Sequence, residues 1–441
     1  MKFKIKKYYK YIKNYIISDG LLKNILLVSG GTVLAQLINI LSQPLITRLY
    51  NPSQYGMLTI FSSVLLIFRF ATLSYEEAIP IAKNDDEAYN LVVIAHSLVL
   101  FIAFLFIALY FYNGDYILKL LEAQDMEKYW LAIPIGIVIQ GIFLILTQWM
   151  YRKKNFKFIS NKNILQSVSG NLTKIGLGVL NFKSVGLIIG RIMIIGGAVI
   201  PLISNFVKEN ISFMKNISIK SLYNVAKKYI NFPLYQTPSI LSTNLRNQLP
   251  IIMLSPLFGS QVIGYIGLTD QIIRLPMTLI GKPVMSVFYS EIASLGSENP
   301  EEIKKISKKL FKQLLILGLV PLLIIVIFGP FLFSFVFGNE WAESGVYARI
   351  LMFYIYADFI FSPVSRVFEV FNKQKTKMII DVSGLLSLIL TFIIGGYLNL
   401  HVFIMLSIYT LIMSLIFFII YITSMKILNE AIDVRRKNEN N

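Results

Sequence analysis

The sequence predicts an all-α integral membrane protein with about twelve transmembrane helices, arranged as two six-helix lobes around a central cavity. The first observation is composition: 55% of the 441 residues are hydrophobic and only 15% are charged, whereas a soluble domain carries about 25% charged residues. The second is that apolar runs of about 20 residues, enough to cross a bilayer, recur along the whole chain. These runs lack the alternating pattern of a membrane barrel, so helices are the expected spanning elements.

Twelve apolar runs are long enough to be spans. They cover residues 24–46, 56–82, 88–110, 130–150, 163–181, 185–205, 229–254, 262–293, 313–337, 346–370, 378–397 and 402–425. The resulting domains are a basic amphipathic tail (1–23), an N-lobe (24–205), a basic cytoplasmic linker (206–228), a C-lobe (229–425) and a basic cytoplasmic tail (426–441). The remaining loops are too short for a soluble domain of useful size.

The formal net charge of +18 follows from the predicted topology. Thirty Lys and Arg residues fall in the tails and loops of one side, and only four fall in the loops of the other side. Basic residues accumulate on the cytoplasmic side of membrane proteins. We therefore expect both termini in the cytoplasm. Because topology accounts for the positive charge, no nucleic-acid partner is expected.

The N-terminal tail alternates lysines with apolar residues at near-helical spacing, including Phe3, Tyr8, Ile12 and Ile16. Such a pattern is typical of a helix lying on an anionic inner leaflet. A solvated tail that only orients the protein fits the same residues, and both interpretations stay open.

Metal and cofactor chemistry is not expected. The chain has no cysteine and only two histidines, His96 and His401. Zinc–thiolate sites, iron–sulfur clusters and cysteine nucleophiles are therefore excluded, and a histidine-rich metal site is not expected. The sequence indicates no catalytic residues, no metal ligands and no cofactor.

Charged residues inside the spans are the most informative feature. Eight bases fall there: Arg69, Lys174, Arg191, Arg246, Arg274, Lys282, Arg349 and Arg366. Each costs about 2.5 kcal/mol or more at mid-depth on insertion scales, so such residues must face the protein interior or water. Only two acids, Asp270 and Asp358, lie clearly deep in the predicted spans. The deeper parts are thus net positive, and a wet cavity of that sign attracts an anion.

Polar residues recur three or four positions apart along five spans, so each set shares one helix face. The sets are Thr32, Gln36, Asn39 and Gln43; Ser62, Arg69, Thr72 and Glu76; Gln236, Ser239, Thr243 and Arg246, widened by Asn244, Asn247 and Gln248; Asp270, Arg274, Thr278 and Lys282; and Asp358, Ser362, Arg366 and Glu369. Together they favour a polar pathway. The alternative for any single residue is an interhelical hydrogen bond, or simple pairing of Asp270 with Arg274 and of Arg366 with Glu369.

A faint internal repeat joins equivalent spans of the two halves. Pro44–Gly56 connects the first and second spans, and Pro250–Gly264 connects the seventh and eighth. Both stretches contain Pro, then Ser-Gln, then Gly, and an arginine follows each, at Arg69 and Arg274. Two halves of six helices in the same orientation would be parallel repeats about an axis along the membrane normal.

The stretches Pro44–Gly56, Thr72–Ile79 and Tyr151–Phe156, with Arg274-Leu-Pro276 in the second half, resemble the oligosaccharide flippases of bacterial polysaccharide biosynthesis. That family belongs to the same superfamily as multidrug/toxin extrusion transporters and peptidoglycan lipid flippases. The resemblance covers the whole chain. It implies a multi-pass protein of the bacterial cytoplasmic membrane that moves undecaprenyl-diphosphate-linked oligosaccharide to the outer leaflet by alternating access.

The resemblance also implies cationic residues that bind the diphosphate, for which Arg69, Arg246 and Arg274 are the best matches by position. The full set of expected substrate-binding residues is Arg69, Arg246, Arg274, Lys282, Arg366, Gln36, Asn39, Gln43 and Asn247. Buried acids can take up protons in a useful pH range, so Glu76, Asp270 and Asp358 are the ion-coupling candidates. Expected partners are the lipid-linked oligosaccharide, the bilayer, and a polymerase and glycosyltransferases of the same pathway.

Two other functions remain open. A multidrug or cation antiporter of the same superfamily would carry mostly cations, which the excess of deep arginine disfavours. A membrane polysaccharide polymerase or ligase would need reactive groups on a sizeable outer loop. The longest predicted outer loop, residues 111–129, is modest and contains no histidine.

Overall fold

The computed structural model describes residues 19–120, 129–210 and 218–439. These residues form fifteen α-helices and no strand, as the sequence predicts. The helices are α1 (Asp19–Leu49), α2 (Pro52–Ile67), α3 (Asp85–Leu120), α4 (Ala132–Arg152), α5 (Phe156–Val179), α6 (Lys183–Gly196), α7 (Val199–Asn210), α8 (Ile219–Lys228), α9 (Thr237–Ile273), α10 (Lys282–Leu295), α11 (Pro300–Phe337), α12 (Ala342–Phe361), α13 (Val367–Val370), α14 (Gln374–Tyr397) and α15 (Val402–Glu439).

All twelve predicted spans lie on helical segments. Nine segments of the described residues are long and apolar enough to cross a bilayer. The longest, Phe232–Leu295, has 64 residues and carries both the seventh and the eighth predicted spans. Gly259, with φ +74°, interrupts the helical geometry between those two spans. Helices α1 and α5, which carry the first and fifth predicted spans, are not among the nine. In α5, lysines and amides interrupt the apolar residues.

The predicted tails and linker lie partly outside the described residues. Residues 1–18 of the amphipathic tail, 211–217 of the linker and 440–441 of the C-terminal tail belong to that part of the chain. The described end of the linker forms α8, and α15 continues through the C-terminal tail to Glu439. The predicted domain boundaries stay predictions.

Short tighter helices extend several of the spans. Helix α2 leads into two 3₁₀ helices, Phe68–Thr72 and Tyr75–Ile81, separated by Leu73 and Ser74 in the left-handed region. Another 3₁₀ helix, Ser362–Arg366, joins α12 to α13. The second and tenth predicted spans therefore change helical geometry near Arg69 and Arg366, two of the predicted binding residues.

The described residues separate into two compact units. Unit 1 contains residues 19–50, 61–119 and 129–245, and unit 2 contains residues 51–60, 120 and 246–439. The division falls inside α2 and inside α9, so the ends of these helices belong to different units.

In unit 1, α5 packs between α1 and α6 at short range. A Cβ atom at Gly31 of α1 would lie 2.2 Å from Ser160 Oγ of α5, and one at Gly170 of α5 would lie 3.0 Å from the carbonyl oxygen of Gly190 of α6. Tyr50 Oη donates a hydrogen bond of 2.7 Å to the carbonyl oxygen of Lys174. Small residues let membrane helices approach closely, which is how helices as polar as α5 are held in a bundle.

The linker helix α8 is tied to other elements of unit 1. Asn90 Nδ2 donates to Ser221 Oγ at 2.8 Å, and Tyr75 Oη donates to the carbonyl oxygen of Ala226 at 3.1 Å. Lys228 Nζ and Glu87 Oε2 form an ion pair of 2.7 Å. These contacts attach the described end of the predicted linker to α3 and to the 3₁₀ helix Tyr75–Ile81.

In unit 2, the two stretches of the internal repeat cross each other at two glycines. A Cβ atom at Gly56 would lie 1.7 Å from the carbonyl oxygen of Ser260, and one at Gly264 would lie 1.8 Å from that of Pro52. Ser53 Oγ and Ser260 Oγ are 2.7 Å apart and share a hydrogen bond. The glycines of the repeat therefore allow a backbone-to-backbone crossing that any side chain would prevent.

The rest of unit 2 is built on α11, α12 and α15. Gly329 of α11 and Gly345 of α12 face each other, and a Cβ atom at Gly345 would lie 2.4 Å from the Gly329 carbonyl. Trp341 is buried against the rings of Tyr55 and Tyr265. Helices α11 and α12 are therefore closely packed in unit 2.

Candidate substrate-binding residues

Arg246, on α9, is paired with an acid of a distant helix. Its Nη1 lies 2.6 Å from Asp381 Oδ1 of α14, and the two side chains are 20% and 32% exposed. Its Nε is buried and has no hydrogen-bond partner among the described residues. Since a buried donor without an acceptor costs about 1–3 kcal/mol, this guanidinium is only partly satisfied by the protein.

Arg274 lies in a three-residue network one helical turn from Asp270. Its Nε donates to both carboxylate oxygens of Asp270 at 2.7 Å, and its Nη2 donates to Tyr354 Oη at 2.8 Å. Tyr354 Oη in turn donates to Asp270 Oδ1 at 2.8 Å. The pairing considered as the alternative for Asp270 and Arg274 is therefore present, yet Nη1 of Arg274 has no described partner.

The remaining predicted residues of unit 2 differ in how they are held. Arg366 Nη1 pairs with Glu369 Oε1, and the guanidinium lies 5.3 Å from the centre of the Tyr289 ring. Lys282 and Asn247 are exposed and have no hydrogen bond or ion pair with described residues, and Asp358 on α12 is half-buried. Arg246, Arg274 and Arg366 thus carry carboxylate partners, whereas Lys282 does not.

In unit 1, Arg69 is a predicted base that the protein holds only weakly. It lies in the 3₁₀ helix Phe68–Thr72, is exposed, and has no hydrogen bond or ion pair with described residues. Glu76, in the following 3₁₀ helix, is only 2% exposed. Its Oε2 has no hydrogen-bond partner within the described part of the chain.

Of the three predicted amides of α1, Asn39 contacts α5. Asn171 Nδ2 of α5 donates to Asn39 Oδ1 at 2.7 Å. Gln43 is buried and Gln36 is half-buried. For Asn39 the structure shows the interhelical hydrogen bond that is the alternative to a polar pathway. A role of these three amides in binding stays a prediction.

Comparison with solved structures shows the fold. The chain is similar to the inward-facing conformation of a multidrug resistance MATE family transporter of the MOP superfamily, with a TM-score of 0.70 and 12% identity over 90% of this chain and 96% of that chain. It is similar to the lipid II flippase MurJ in an inward closed conformation, with a TM-score of 0.69 and 16% identity over 93% and 91%. A MOP superfamily transporter from Pyrococcus furiosus Vc1 (DSM3638), described with a binding pocket of reverse polarity, has a TM-score of 0.58 and 14% identity over 93% and 96%.

A family model described as polysaccharide biosynthesis protein matches residues 45–346, more than half of the chain. The chain belongs to this family. Membership confirms the resemblance to polysaccharide-biosynthesis proteins seen in the sequence. The shared MATE and MurJ fold, with 12 helices in two lobes, confirms the predicted fold class. No curated protein sequence matches.

The structure also identifies polar residues that are not among the substrate-binding residues predicted from the sequence. Asp381 and Tyr354 hold Arg246 and Arg274, and Asn171 holds Asn39. Lys162 is buried, although it falls between the fourth and fifth predicted spans. Tyr354 lies four residues before Asp358, so the spacing of the tenth span already places both on one face. Nothing in the sequence pairs Asp381 with Arg246, because 135 residues separate them.

Within residues 19–120, 129–210 and 218–439, no three His, Asp or Glu side chains come together closely enough to hold an ion.

The Asp381→Asn substitution should lower stability, because it leaves Arg246 without its carboxylate while the guanidinium stays partly buried. Since breaking a fully buried pair costs about 3–5 kcal/mol, we expect about 1–2 kcal/mol at this partly exposed site. Thermal unfolding in detergent measures the effect, and Arg246→Gln/Asp381→Asn should recover most of the loss. Equal stability of D381N and the unsubstituted protein would show that the pair contributes nothing.

Proposed function

We propose that the protein flips undecaprenyl-diphosphate-linked oligosaccharide from the cytoplasmic to the outer leaflet of a bacterial cytoplasmic membrane by alternating access. Membership in a polysaccharide biosynthesis family supports the oligosaccharide part of the proposal. The fold shared with a protein described as a lipid II flippase supports a lipid-linked cargo. On this proposal both termini are cytoplasmic, and glycosyltransferases supply the cargo that a polymerase then consumes.

The observation that carries the proposal is that arginines inside membrane-spanning segments keep N–H donors for which the described residues provide no acceptor. Arg69 makes no hydrogen bond or ion pair with described residues, Arg246 keeps a buried Nε without an acceptor, and Arg274 uses only Nε and Nη2. Guanidinium groups present a planar fork of N–H donors that matches phosphate oxygens, and such charge-assisted bonds are strong. We assign the diphosphate to Arg69, Arg246 and Arg274, with Lys282 and Arg366 as further cationic contacts.

In unit 2, Arg246 and Arg274 each hold a carboxylate that a phosphate group of the cargo would replace. Asp270 and Asp381 occupy acceptor positions that phosphate oxygens would take on the same guanidinium groups. Before cargo binds, the carboxylate avoids the free-energy cost of an unpaired cation inside a membrane-spanning segment. Release of that carboxylate on cargo binding would make it available to a proton. Asp270 therefore joins Asp358 and Glu76 as a proposed ion-coupling group.

Neutral groups are suited to the sugars. Asn247 is exposed and Gln36 is half-buried, so their amides can exchange hydrogen bonds with hydroxyl groups. Asn39 and Gln43 would serve the same purpose only if they release the contacts that they make in unit 1.

Purified protein in liposomes tests the proposal directly. Fluorescent undecaprenyl-diphosphate oligosaccharide, placed in both leaflets, should become fully accessible to an external quencher or glycosidase only when the protein is present. The same lipid carrying a neutral linkage should move at least about tenfold more slowly, because it loses charge-assisted bonds to arginine. Transport of cationic dyes without movement of the lipid would instead favour the antiporter.

A further inference from the structure

In unit 2, two donors from different parts of the chain converge on one carboxylate oxygen. Asp270 lies in the last turn of α9, and Arg274 follows the end of that helix. Arg274 Nε donates to both oxygens of Asp270 at 2.7 Å. Tyr354, on α12, donates its hydroxyl to Oδ1 of the same carboxylate at 2.8 Å. An oxygen atom at the Oδ1 position therefore accepts both a charged and a neutral hydrogen bond.

The three residues of this network differ in how far they are open to a ligand. The side chains of Asp270 and Arg274 are 36% and 31% exposed. Tyr354 is only 3% exposed. A solute can therefore reach the carboxylate and the guanidinium, while the hydroxyl that bonds the carboxylate comes from the protein interior.

Tyr354 is held in place by contacts that do not involve Asp270. Its ring packs edge-on against Tyr409, with ring centres 5.3 Å apart, and Tyr409 packs against Phe392 at 6.0 Å. Its hydroxyl also accepts from Arg274 Nη2 at 2.8 Å. These contacts would keep the Tyr354 hydroxyl in position when the Asp270 carboxylate moves away. A donor fixed in advance binds an anion with little cost of reorganisation.

The other arginine–carboxylate pair of unit 2 lacks this second donor. Arg246 Nη1 donates to Asp381 Oδ1 at 2.6 Å, and no hydroxyl group of the residues that the structure describes donates to Asp381. An oxygen that replaced the Asp381 carboxylate would gain a bond from Arg246 alone. The position of Asp270 Oδ1 is therefore the better prepared of the two for an oxyanion.

We propose that Tyr354 is a further cargo-binding residue, and that Tyr354 and Arg274 form an oxyanion site that Asp270 occupies until a phosphate group replaces it. The inference rests on the proposed flippase function, because it assigns a new contact to the same diphosphate. A phosphate oxygen at the Oδ1 position accepts from Arg274 Nε and from the Tyr354 hydroxyl. Arg274 Nη1, which makes no hydrogen bond with described residues, then donates to a second phosphate oxygen.

Calorimetric titration of the purified protein with inorganic pyrophosphate tests the site without a transport measurement. Asp270→Ala removes the competing carboxylate, so D270A should bind pyrophosphate at least about tenfold more tightly than the unsubstituted protein. D270A/Y354F should bind at least about tenfold more weakly than D270A, because one hydrogen bond to a charged acceptor is lost. Equal affinities of D270A and D270A/Y354F overturn the proposal, as does a D270A protein that binds no pyrophosphate. If D270A does not fold, D270N replaces it in both variants.

Tyr356→Phe is the matched control, because Tyr356 lies on the same helix and its hydroxyl donates to the backbone carbonyl of Leu315 at 3.0 Å. D270A/Y356F should keep the pyrophosphate affinity of D270A, and a loss as large as that caused by Y354F would contradict a specific role of Tyr354.

The liposome assay separates this inference from the proposed function. Y354F alone should raise the KM for lipid-linked oligosaccharide about tenfold, again by loss of one bond to a charged acceptor. An unchanged KM in a protein that flips the lipid refutes the role of Tyr354 and leaves the flippase proposal intact. Pyrophosphate binding that depends on Tyr354, in a protein that flips no lipid, supports the oxyanion site and refutes the flippase proposal.

Discussion

Replacing Arg69 with glutamine should reduce flipping of lipid-linked oligosaccharide by about 100-fold while the protein keeps its normal level and unfolding temperature. Two charge-assisted bonds to a diphosphate, at about 1.5–3 kcal/mol each, account for an effect of this size. Arg69 is exposed and makes no hydrogen bond or ion pair with described residues. Its loss therefore breaks no ion pair among them, and the substitution separates binding from stability. Initial rates in the liposome assay provide the measurement.

Arg349→Gln is the matched control for the Arg69 variant. Arg349 is also an exposed arginine of a spanning helix, and its Nη2 donates to the backbone carbonyl of Ile327 at 2.9 Å. We expect R349Q to retain flipping. For Arg246 and Arg274, whose removal would leave a carboxylate unpaired, the paired changes R246Q/D381N and R274Q/D270N avoid that effect. Normal flipping by R69Q and both paired variants would refute the assignment of the diphosphate to these arginines.

Replacing Gly264 with leucine should destabilise the protein by about 3 kcal/mol or more, because the added side chain meets backbone rather than a movable side chain. A Cβ atom there would lie 1.8 Å from the carbonyl oxygen of Pro52. Gly56→Leu should have the same effect through the carbonyl oxygen of Ser260, 1.7 Å from its Cβ position. Relief would require separation of α2 from α9. Unfolding temperature and the yield of monodisperse protein in detergent measure the loss.

Gly176→Ala provides the control for the glycine substitutions. No atom lies within 4 Å of a Cβ built at Gly176, which is within α5. Alanine should be neutral there or stabilise the helix by about 0.5–1 kcal/mol, since glycine costs that much in a helix interior. Destabilisation by G176A as large as that by G264L would show that the crossing has no special role.

Membrane class, number of spans and family are accessible from the sequence because each depends on local information. Hydrocarbon length sets the length of each apolar run, and the sign of loop charges sets the topology. The repeat of Pro44–Gly56 in Pro250–Gly264 is likewise readable without coordinates. Its physical meaning is not, since only the structure shows that Gly56 and Gly264 permit one crossing.

The polar residues illustrate where local information ends. Helical spacing correctly groups Asp270 with Arg274, four residues apart, and the pair is formed. The same rule places Asn39 in a polar stripe and cannot distinguish a ligand contact from its bond to Asn171, 132 residues away. Hydropathy alone leaves Lys162 outside the fifth span, because it does not reveal that Thr147 and Phe143 compensate its charge.

By itself, the sequence determined that this chain crosses a membrane many times, that its cations are asymmetrically distributed, and that eight bases lie inside the spans. Only the tertiary structure decided which carboxylates hold those bases: Asp381 holds Arg246, Asp270 holds Arg274, and Glu369 holds Arg366. The physical reason is the distance along the chain between the residues that determine each property. Insertion into a bilayer depends on the composition of each segment, whereas compensation of a buried charge depends on side chains that lie far apart along the chain.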